Sequence, residues 1–262
     1  MEFSRIKTEK KDSVGKIILN NPKTLNVIEK ETFHEIGEAL DHFEKDDVKV
    51  ILITAVCGIS RTRKKVFSAG VNLKKYNEKI ELAQDVPERF KGELKASRSL
   101  LVRIEKYSKP VIIAINGLVT GGFFELALSC DTVLVSESAV MSLNEVNIGL
   151  IPGYGGLSRL LNLVGKNRAF DLMATARLVD AKEAFRLGIA TKIFKNRGFD
   201  SQAIKYCREL AEKSSNSLYL IKDSMRKISE GKDEEEIEVD NFLKAICSED
   251  AQKGVNNFLR KK

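Results

Sequence analysis

The stretch GLVTGGFFELALSCD, residues 117–131, follows directly on a strand-like run, KPVIIAIN, residues 109–116. Adjacent Gly121 and Gly122 open what reads as a helix, and Glu125 stands among Phe123, Phe124, Leu126, Ala127 and Leu128. A carboxylate inside an apolar helix start, just behind two residues without side chains, needs a reason. A strand that turns through glycine into a helix leaves free N–H groups at the helix start. Gly122 presents one with no side chain in the way, and such a terminus stabilises negative charge. GxGxxG and Walker spacing are absent and no basic residue follows closely, so a developing oxyanion fits better than a phosphate. The plain alternative for Glu125 is a solvent-facing residue or a partner of the helix dipole.

Working outward, the 262 residues suit one large domain, or one domain with an appendage, and 43% hydrophobic content supplies a sizeable core. No apolar run approaches the roughly 20 residues of a membrane helix. The polar start MEFSRIKTEKKD lacks a signal-type apolar segment, and FLRKK matches no lipidation signal, so a soluble cytoplasmic protein is expected. Cys57, Cys130, Cys207 and Cys247 show no CxxC spacing and read as buried reduced thiols. His34 and His42 lie too far apart for a one-turn ligand pair, which argues against a metal site and against a Ser-His or Cys-His hydrolase. Both read as solvent-facing helix residues. The net charge of +7 comes from 44 basic and 37 acidic residues spread along the chain. It reads first as a solubilising surface, next as a site for a phosphate-bearing ligand, and last as a nucleic-acid surface.

FSRIKTEK and VGKIILN predict two strands with a turn at Asp12-Ser13, and NNPKT reads as a loop. Apolar residues at Ile28, Phe33, Ile36, Leu40 and Phe43 predict a helix. VKVILITA (48–55) and VIIAI (111–115) are buried-strand runs. RTRKKVFSAGVNL (61–73) reads as a basic loop ending in an Ala-Gly turn, and 87–106 as a helix opening on Pro87. Strands and helices alternate to about residue 194, an α/β pattern. Beyond Gly198 four successive helices form what looks like an appendage, with the acidic run DEEEIE at one helix start. It either covers the core or binds a neighbouring subunit.

Two further segments carry chemistry. In VFSAGVNL (66–73), Gly70 lets backbone bend sharply and lie against a ligand, or simply makes a turn. In MSLNEVNIGLIPGYGGLSRLLNLVG (141–165), Glu145 comes twenty residues after Glu125, room for a helix and a short strand that return the two acids to one place. Gly155-Gly156 opens another helix behind it. Paired carboxylates suit acid–base chemistry when burial and mutual repulsion keep one protonated.

These blocks, KVFSAGVNLKKY, KPVIIAINGLVTGGFFELALSCD, SLNEVNIGLIPGYGGLSRLLNLVG and LVDAKEAFRLGIATKIF, occur in order over about residues 10–260. Together they resemble the enoyl-CoA hydratase/isomerase (crotonase) superfamily. The resemblance implies an α/β fold, a crotonase-like spiral of ββα units with two near-perpendicular sheets over residues 1–197. A C-terminal helical trimerisation region over 198–262 follows, giving a homotrimer or dimer of trimers. It implies an acyl-CoA or acyl-carrier-bound thioester whose oxygen is held by the N–H groups of Val71 and Gly122. Glu125 would act on water and Glu145 would supply a proton, while Ser68, Ala69 and Val71 line the CoA pocket. No metal or redox cofactor is implied, coenzyme A being part of the substrate. Lys64, Lys65 and Lys74 fall where CoA phosphates would pass, residues 74–95 where the family varies beside the acyl tail, and Phe258 where a neighbouring site would be reached.

The chain departs from the family at Phe123 and Phe124, which narrow the pocket or pack behind the helix, at Asn72 in place of aspartate, and at Leu143-Asn144 in place of Gln-Pro. Leu143 would raise the pKa of Glu145. The leading expectation is a hydratase adding water to a 2-enoyl thioester. The rivals are a Δ3-Δ2 enoyl isomerase, a dehydratase, decarboxylase or hydrolase, and a non-catalytic acyl-CoA- or RNA-binding homologue.

Overall fold

The computed structural model describes residues 3–260, apart from the side chains at 74 and 77. The chain opens with β1 (Ile6–Lys11) and β2 (Val14–Leu19), the hairpin expected at Asp12-Ser13, and α1 (Lys30–Glu44). Three units follow, each sending a strand into one sheet, a strand into a second sheet, and then helix. The first is β3 (Val50–Ala55), β4 (Gly58–Ile59) with β5 (Lys65–Ser68), then α2 (Tyr76–Asp85) and α3 (Pro87–Lys106). The second is β6 (Val111–Ile115), β7 (Leu118–Thr120) and α4 (Gly122–Ala127). The third is β8 (Thr132–Ser136), β9 (Val140–Ser142), α5 (Gly156–Val164) and α6 (Lys166–Thr175). Then come β10 (Val179–Asp180), α7 (Ala181–Arg186) and β11 (Lys192–Phe194). Four helices end the chain: α8 (Phe199–Ala211), α9 (Ser215–Ser229), α10 (Glu234–Ile246) and α11 (Glu249–Arg260).

The larger sheet runs β1-β2-β3-β6-β8-β11, and the smaller β10-β9-β7-β5-β4. β6 lies parallel between β3 and β8, while β7, two residues further on, lies parallel between β5 and β9. Asn116-Gly117 makes that crossing. A Cβ at Gly117 would stand 2.8 Å from the Lys65 carbonyl oxygen, so the crossing needs glycine for close backbone approach.

Both faces of the larger sheet are covered, which is why its strands read as unbroken apolar runs. Side chains alternate along each strand. Ile51, Ile53, Val111, Ile113 and Ile115 enter the main core, whereas Val50, Leu52, Ile112 and Ala114 face the other way, onto Phe199, Ala203, Ile204, Cys207 and Ala211 of α8. The stretch beyond Gly198 is helical as expected, yet α8 is no appendage, because it seals the second sheet face. The 61–73 stretch also differs from the loop expected of it. Its residues 65–68 form β5, whose buried Val66, Phe67 and Ser68 are hidden in sequence by the basic run ahead of them. Of the four cysteines only Cys207 is buried, Cys57 and Cys130 being half-buried and Cys247 exposed, while His34 and His42 face solvent. No described helix is long and apolar enough to cross a membrane.

Phe123 is fully buried, with its ring edge-on to Phe33 and Phe67 at centroid distances of 6.1 and 6.5 Å. Phe124 is buried as well, and neither ring lines the cavity described below, so both pack behind α4. Phe123→Ala is expected to cost about 3–5 kcal/mol of stability, measured by denaturant unfolding.

Candidate active site

Gly121 takes φ 56° and ψ −136°, a conformation that side chains disfavour, and this turns the chain from β7 into α4. One turn on, Glu125 is 1% exposed. A single carboxylate oxygen, Oε2, accepts hydrogen bonds from the backbone N–H of Tyr154 at 2.8 Å and of Gly156 at 2.7 Å. Gly156 is the first residue of α5, so the carboxylate caps a helix start that has spare donors. A Cβ on Gly156 would lie 2.6 Å from Glu125 Cγ, so glycine there is a packing requirement. The donor turn is anchored from outside: Arg159 donates to the Tyr154 carbonyl at 3.1 Å and grips Glu105 with two bonds of 2.7 and 2.8 Å. Burial pushes the Glu125 carboxyl up from its ordinary value, and the N–H groups of Gly156, Tyr154 and Gly153 oppose that rise.

Glu145 opens a short 3-10 turn, Glu145–Ile148, directly after β9. β9 pairs with β7, whose end leads into α4, so sheet pairing returns the second acid to the first. Between them lie a helix and two strands, one strand more than the twenty-residue spacing suggested. Glu145 Oε1 lies 3.4 Å from where a Gly121 Cβ would be. Its Oε2 is buried without a hydrogen-bond partner among the described residues. Burial and the Glu125 charge raise its pKa to about 7, with Leu143 buried two residues away. The two acids therefore differ in kind. One has the backbone donors of Gly156, Tyr154 and Gly153, and the other has only its own N–H.

The third component is the turn after β5. Ser68 is wholly buried. Its hydroxyl donates to the Asn26 carbonyl at 2.8 Å and accepts the Gly70 N–H at 3.2 Å. Gly70 has φ 78°, its carbonyl accepts the Ile28 N–H at 2.7 Å, and Val71 bridges Ile28. Next in line, Asn72 donates to Glu29 at 3.2 Å, and Glu29 also pairs with Arg5. An aspartate at 72 would face that carboxylate, which accounts physically for the departure there. The backbones of Gly70 and Gly121 lie close together, since a Cβ on Gly121 would fall 3.7 Å from Gly70 Cα. Among the described residues, neither the Val71 N–H nor the Gly122 N–H has an acceptor. A cavity of about 880 Å³ is lined by Val71, Gly122, Glu125 and Glu145 together with Tyr76 and Tyr154.

Ala69, Val71, Gly122, Glu125 and Glu145 thus share one cavity, as the sequence led one to expect. The expectation for Ser68 is corrected: its side chain is spent on fixing the turn and does not line the cavity. Lys64 and Lys65 do not line it either, and the Lys74 side chain lies outside the described residues. Its cations are Lys30, Lys75, Lys79, Arg89 and Arg103. Sequence reasoning missed Tyr154 and Gly156 as donors to Glu125. The signal was present, since Gly155-Gly156 repeats the glycine pair that opens α4. It also missed the tyrosines of the wall, which no spacing rule marks.

Strands that turn through glycine into helix thus bring two unspent amides and two buried acids to the wall of one cavity. The family description Enoyl-CoA hydratase/isomerase matches residues 9–262. A protein named "Probable enoyl-CoA hydratase, mitochondrial" from Dictyostelium discoideum is 32% identical, the match covering 100% of this chain and 90% of that one. A short-chain-enoyl-CoA hydratase of Clostridium acetobutylicum is 30% identical over 100% of this chain and 97% of its own. A solved enoyl-CoA hydratase subunit from Geobacillus kaustophilus superposes with a TM-score of 0.88 at 32% identity, covering 100% of this chain and 97% of that chain. The chain belongs to the enoyl-CoA hydratase/isomerase family and has its crotonase fold. The mitochondrial relative means that similarity does not favour the cytoplasm over that organelle.

Gly156→Ala is expected to push the Glu125 carboxylate off its two donors. A loss of about 10²-fold in turnover should follow from misplacement on the ångström scale, read by steady-state kinetics on the thioester substrate.

Proposed function

We propose that the chain adds water across the double bond of a 2-enoyl-CoA, or of an enoyl group on a carrier protein. The thioester oxygen docks between the N–H groups of Val71 and Gly122. Water attacks the β-carbon and gives its proton to Glu125. The alkene electron pair moves toward the carbonyl, and negative charge gathers on the thioester oxygen, where each amide donor is worth about 3–4 kcal/mol of barrier. The enolate then collapses, taking the proton of Glu145 at the α-carbon. The reverse sequence dehydrates a 3-hydroxyacyl thioester. All of these steps use the chain's own residues.

The observation that carries this reading is the inequality of the two acids on one cavity wall. Glu125 has donors for a carboxylate, while Glu145 is held near pKa 7 by burial. A one-acid isomerase would have no use for the helix start spent on positioning Glu125. Glu125→Gln and Glu145→Gln are each expected to lower hydration of crotonyl-CoA by about 10²–10⁴-fold while CoA binding persists, followed by loss of the enoyl-thioester absorbance. Near-full hydration by either variant would remove that residue from the mechanism.

The pKa of Glu145 also sets two pH dependences. Its proton is present below about 7, so hydration should decline as pH rises through that value. The fold prefers the protonated form, whereas a free carboxyl has a pKa of 4.5, so this group's destabilisation appears as pH climbs from 4.5 through about 7. Glu145→Gln should therefore raise the melting temperature at pH 8 by more than at pH 5.

For the assembly we infer a homotrimer or dimer of trimers. Exposed apolar side chains, among them Ile221, Met225, Phe242, Leu243 and Phe258, run over α9, α10 and α11. Such a face supports burial against other subunits. Light scattering should give a multiple of three of the 29.3 kDa chain mass, and Phe242→Lys with Leu243→Lys should reduce it to monomer.

A further inference from the structure

The two amides assigned to the thioester oxygen are held in different ways. A trans peptide is planar, so its C=O and the N–H that follows point in opposite directions, and no cis bond occurs among the described residues. The bond made by one residue's carbonyl therefore aims the N–H of the next. For Gly122 that carbonyl is Gly121, which accepts the Glu125 N–H at 3.0 Å in the first turn of α4. The helix itself aims this amide. For Val71 the carbonyl is Gly70, which accepts the Ile28 N–H at 2.7 Å. Ile28 lies outside every helix and strand, so a loop aims the second amide.

That loop is held along its length. Leu25 and Asn26 sit in the left-handed region at φ 57° and 49°, which residues other than glycine keep only where their surroundings fix it. The Asn26 amide donates to the Phe67 and Val56 carbonyls at 2.8 and 3.0 Å, and the Leu25 carbonyl accepts the Ala69 N–H at 3.0 Å. The far end of the loop is Glu29, whose N–H donates to the Thr32 hydroxyl at 3.2 Å where α1 begins. Its carboxylate, 13% exposed, accepts the Asn72 amide at 3.2 Å through Oε1 and pairs with Arg5 through Oε2. Lys75 stands further off, 3.9 Å from Oε1. Arg5 is fixed in turn, because the backbone N–H groups of Ser4, Arg5 and Ile6 all donate to Glu35 of α1, at 2.9, 2.8 and 3.2 Å.

Ile28 thus grips the residue before Val71, and Glu29 grips the residue after it. A carboxylate accepts and cannot donate, so with Glu29 in place residue 72 has to bring the proton. Resting on the thioester reading of the site, we propose that Glu29, held by Arg5 and bonded to Asn72, is a positioning residue that aims the Val71 N–H at the thioester oxygen. It acts through the turn at 70–72 and not on the reacting atoms.

The test reverses the polarity of the bond. Asn72→Asp sets two carboxylates face to face. Glu29→Gln combined with Asn72→Asp restores one donor and one acceptor, and leaves an amide oxygen for Arg5. Asn72→Ala breaks the bond without adding charge. Each protein is read in two ways: kcat and KM for hydration of crotonyl-CoA, and the infrared carbonyl stretch of bound butanoyl-CoA, saturated and unreactive, isotope-labelled at the thioester carbon. In the wild type the bound stretch should lie below its value in solution. Asn72→Asp should lose about 10²-fold in kcat with KM within about threefold, and its bound stretch should move back up. Asn72→Ala should lose about tenfold and shift the stretch the same way. The double variant should return to within about threefold of the wild type and recover its stretch. A merely structural role would lower the folded fraction without moving the stretch in the protein that remains folded, and if Asn72→Asp does not fold, the alanine and double variants decide. A stretch indifferent to every single variant that folds, or a double variant no better than Asn72→Asp, would overturn the proposal while hydration by the wild type keeps the thioester reading. A wild type that lowers the stretch without hydrating, with variants that lose the shift, keeps the positioning role and removes water addition. A wild-type stretch equal to that in solution removes the docking of the thioester oxygen and the proposal with it.

Discussion

A carboxylate buried in the interior and bonded through one oxygen to the start of a helix sets the geometry of this protein's site. Charged groups are rarely taken out of water without compensation. Here the N–H groups of Tyr154 and Gly156 compensate Glu125, and the arrangement works only because Gly156 leaves room for the side chain. In return the carboxylate fixes where α5 begins relative to α4. The Arg159–Glu105 pair then ties that turn to α3, so this wall of the cavity is braced from three helices.

The second acid owes its character to what it lacks. Glu145 follows a strand of the smaller sheet and reaches the same cavity, but its inner oxygen has no donor. Placing two carboxyls together with unequal support pushes their proton affinities apart, which is how a single fold obtains an acid and a base from one residue type. The two amides opposite them arise from the same topology. β5 and β7 are parallel neighbours, and each ends in a glycine turn, so the backbones of Gly70 and Gly121 lie close together.

Much of this was legible in the sequence because it depends on local rules. The apolar runs 111–115 and 48–55, Pro87 at a helix start and the glycine pair at 121–122 each carry their own stereochemical signature. The convergence of Glu125 and Glu145 was legible as a possibility, since a spacing of twenty residues permits it. Only the pairing of β7 with β9 brings it about. What stayed hidden depends on tertiary contacts. Four residues of β5 behind a basic run are too few to show a period. The role of Ser68 lies in a bond to Asn26, far away in sequence. The docking of α8 stayed hidden because an unbroken hydrophobic run announces that both sheet faces are covered without saying which helix covers the second.

The cavity is built from two kinds of material. Its acids and amides stand at the ends of paired strands, where a shift of one residue would disturb both sheets. Tyr76, Phe90 and Leu94 hang on α2 and α3, helices that lie outside either sheet. A lineage can therefore rewrite that helical panel, by substitution or insertion, while the acids and amides are left alone. Diversification of ligand range within such a scaffold needs no concession from its machinery.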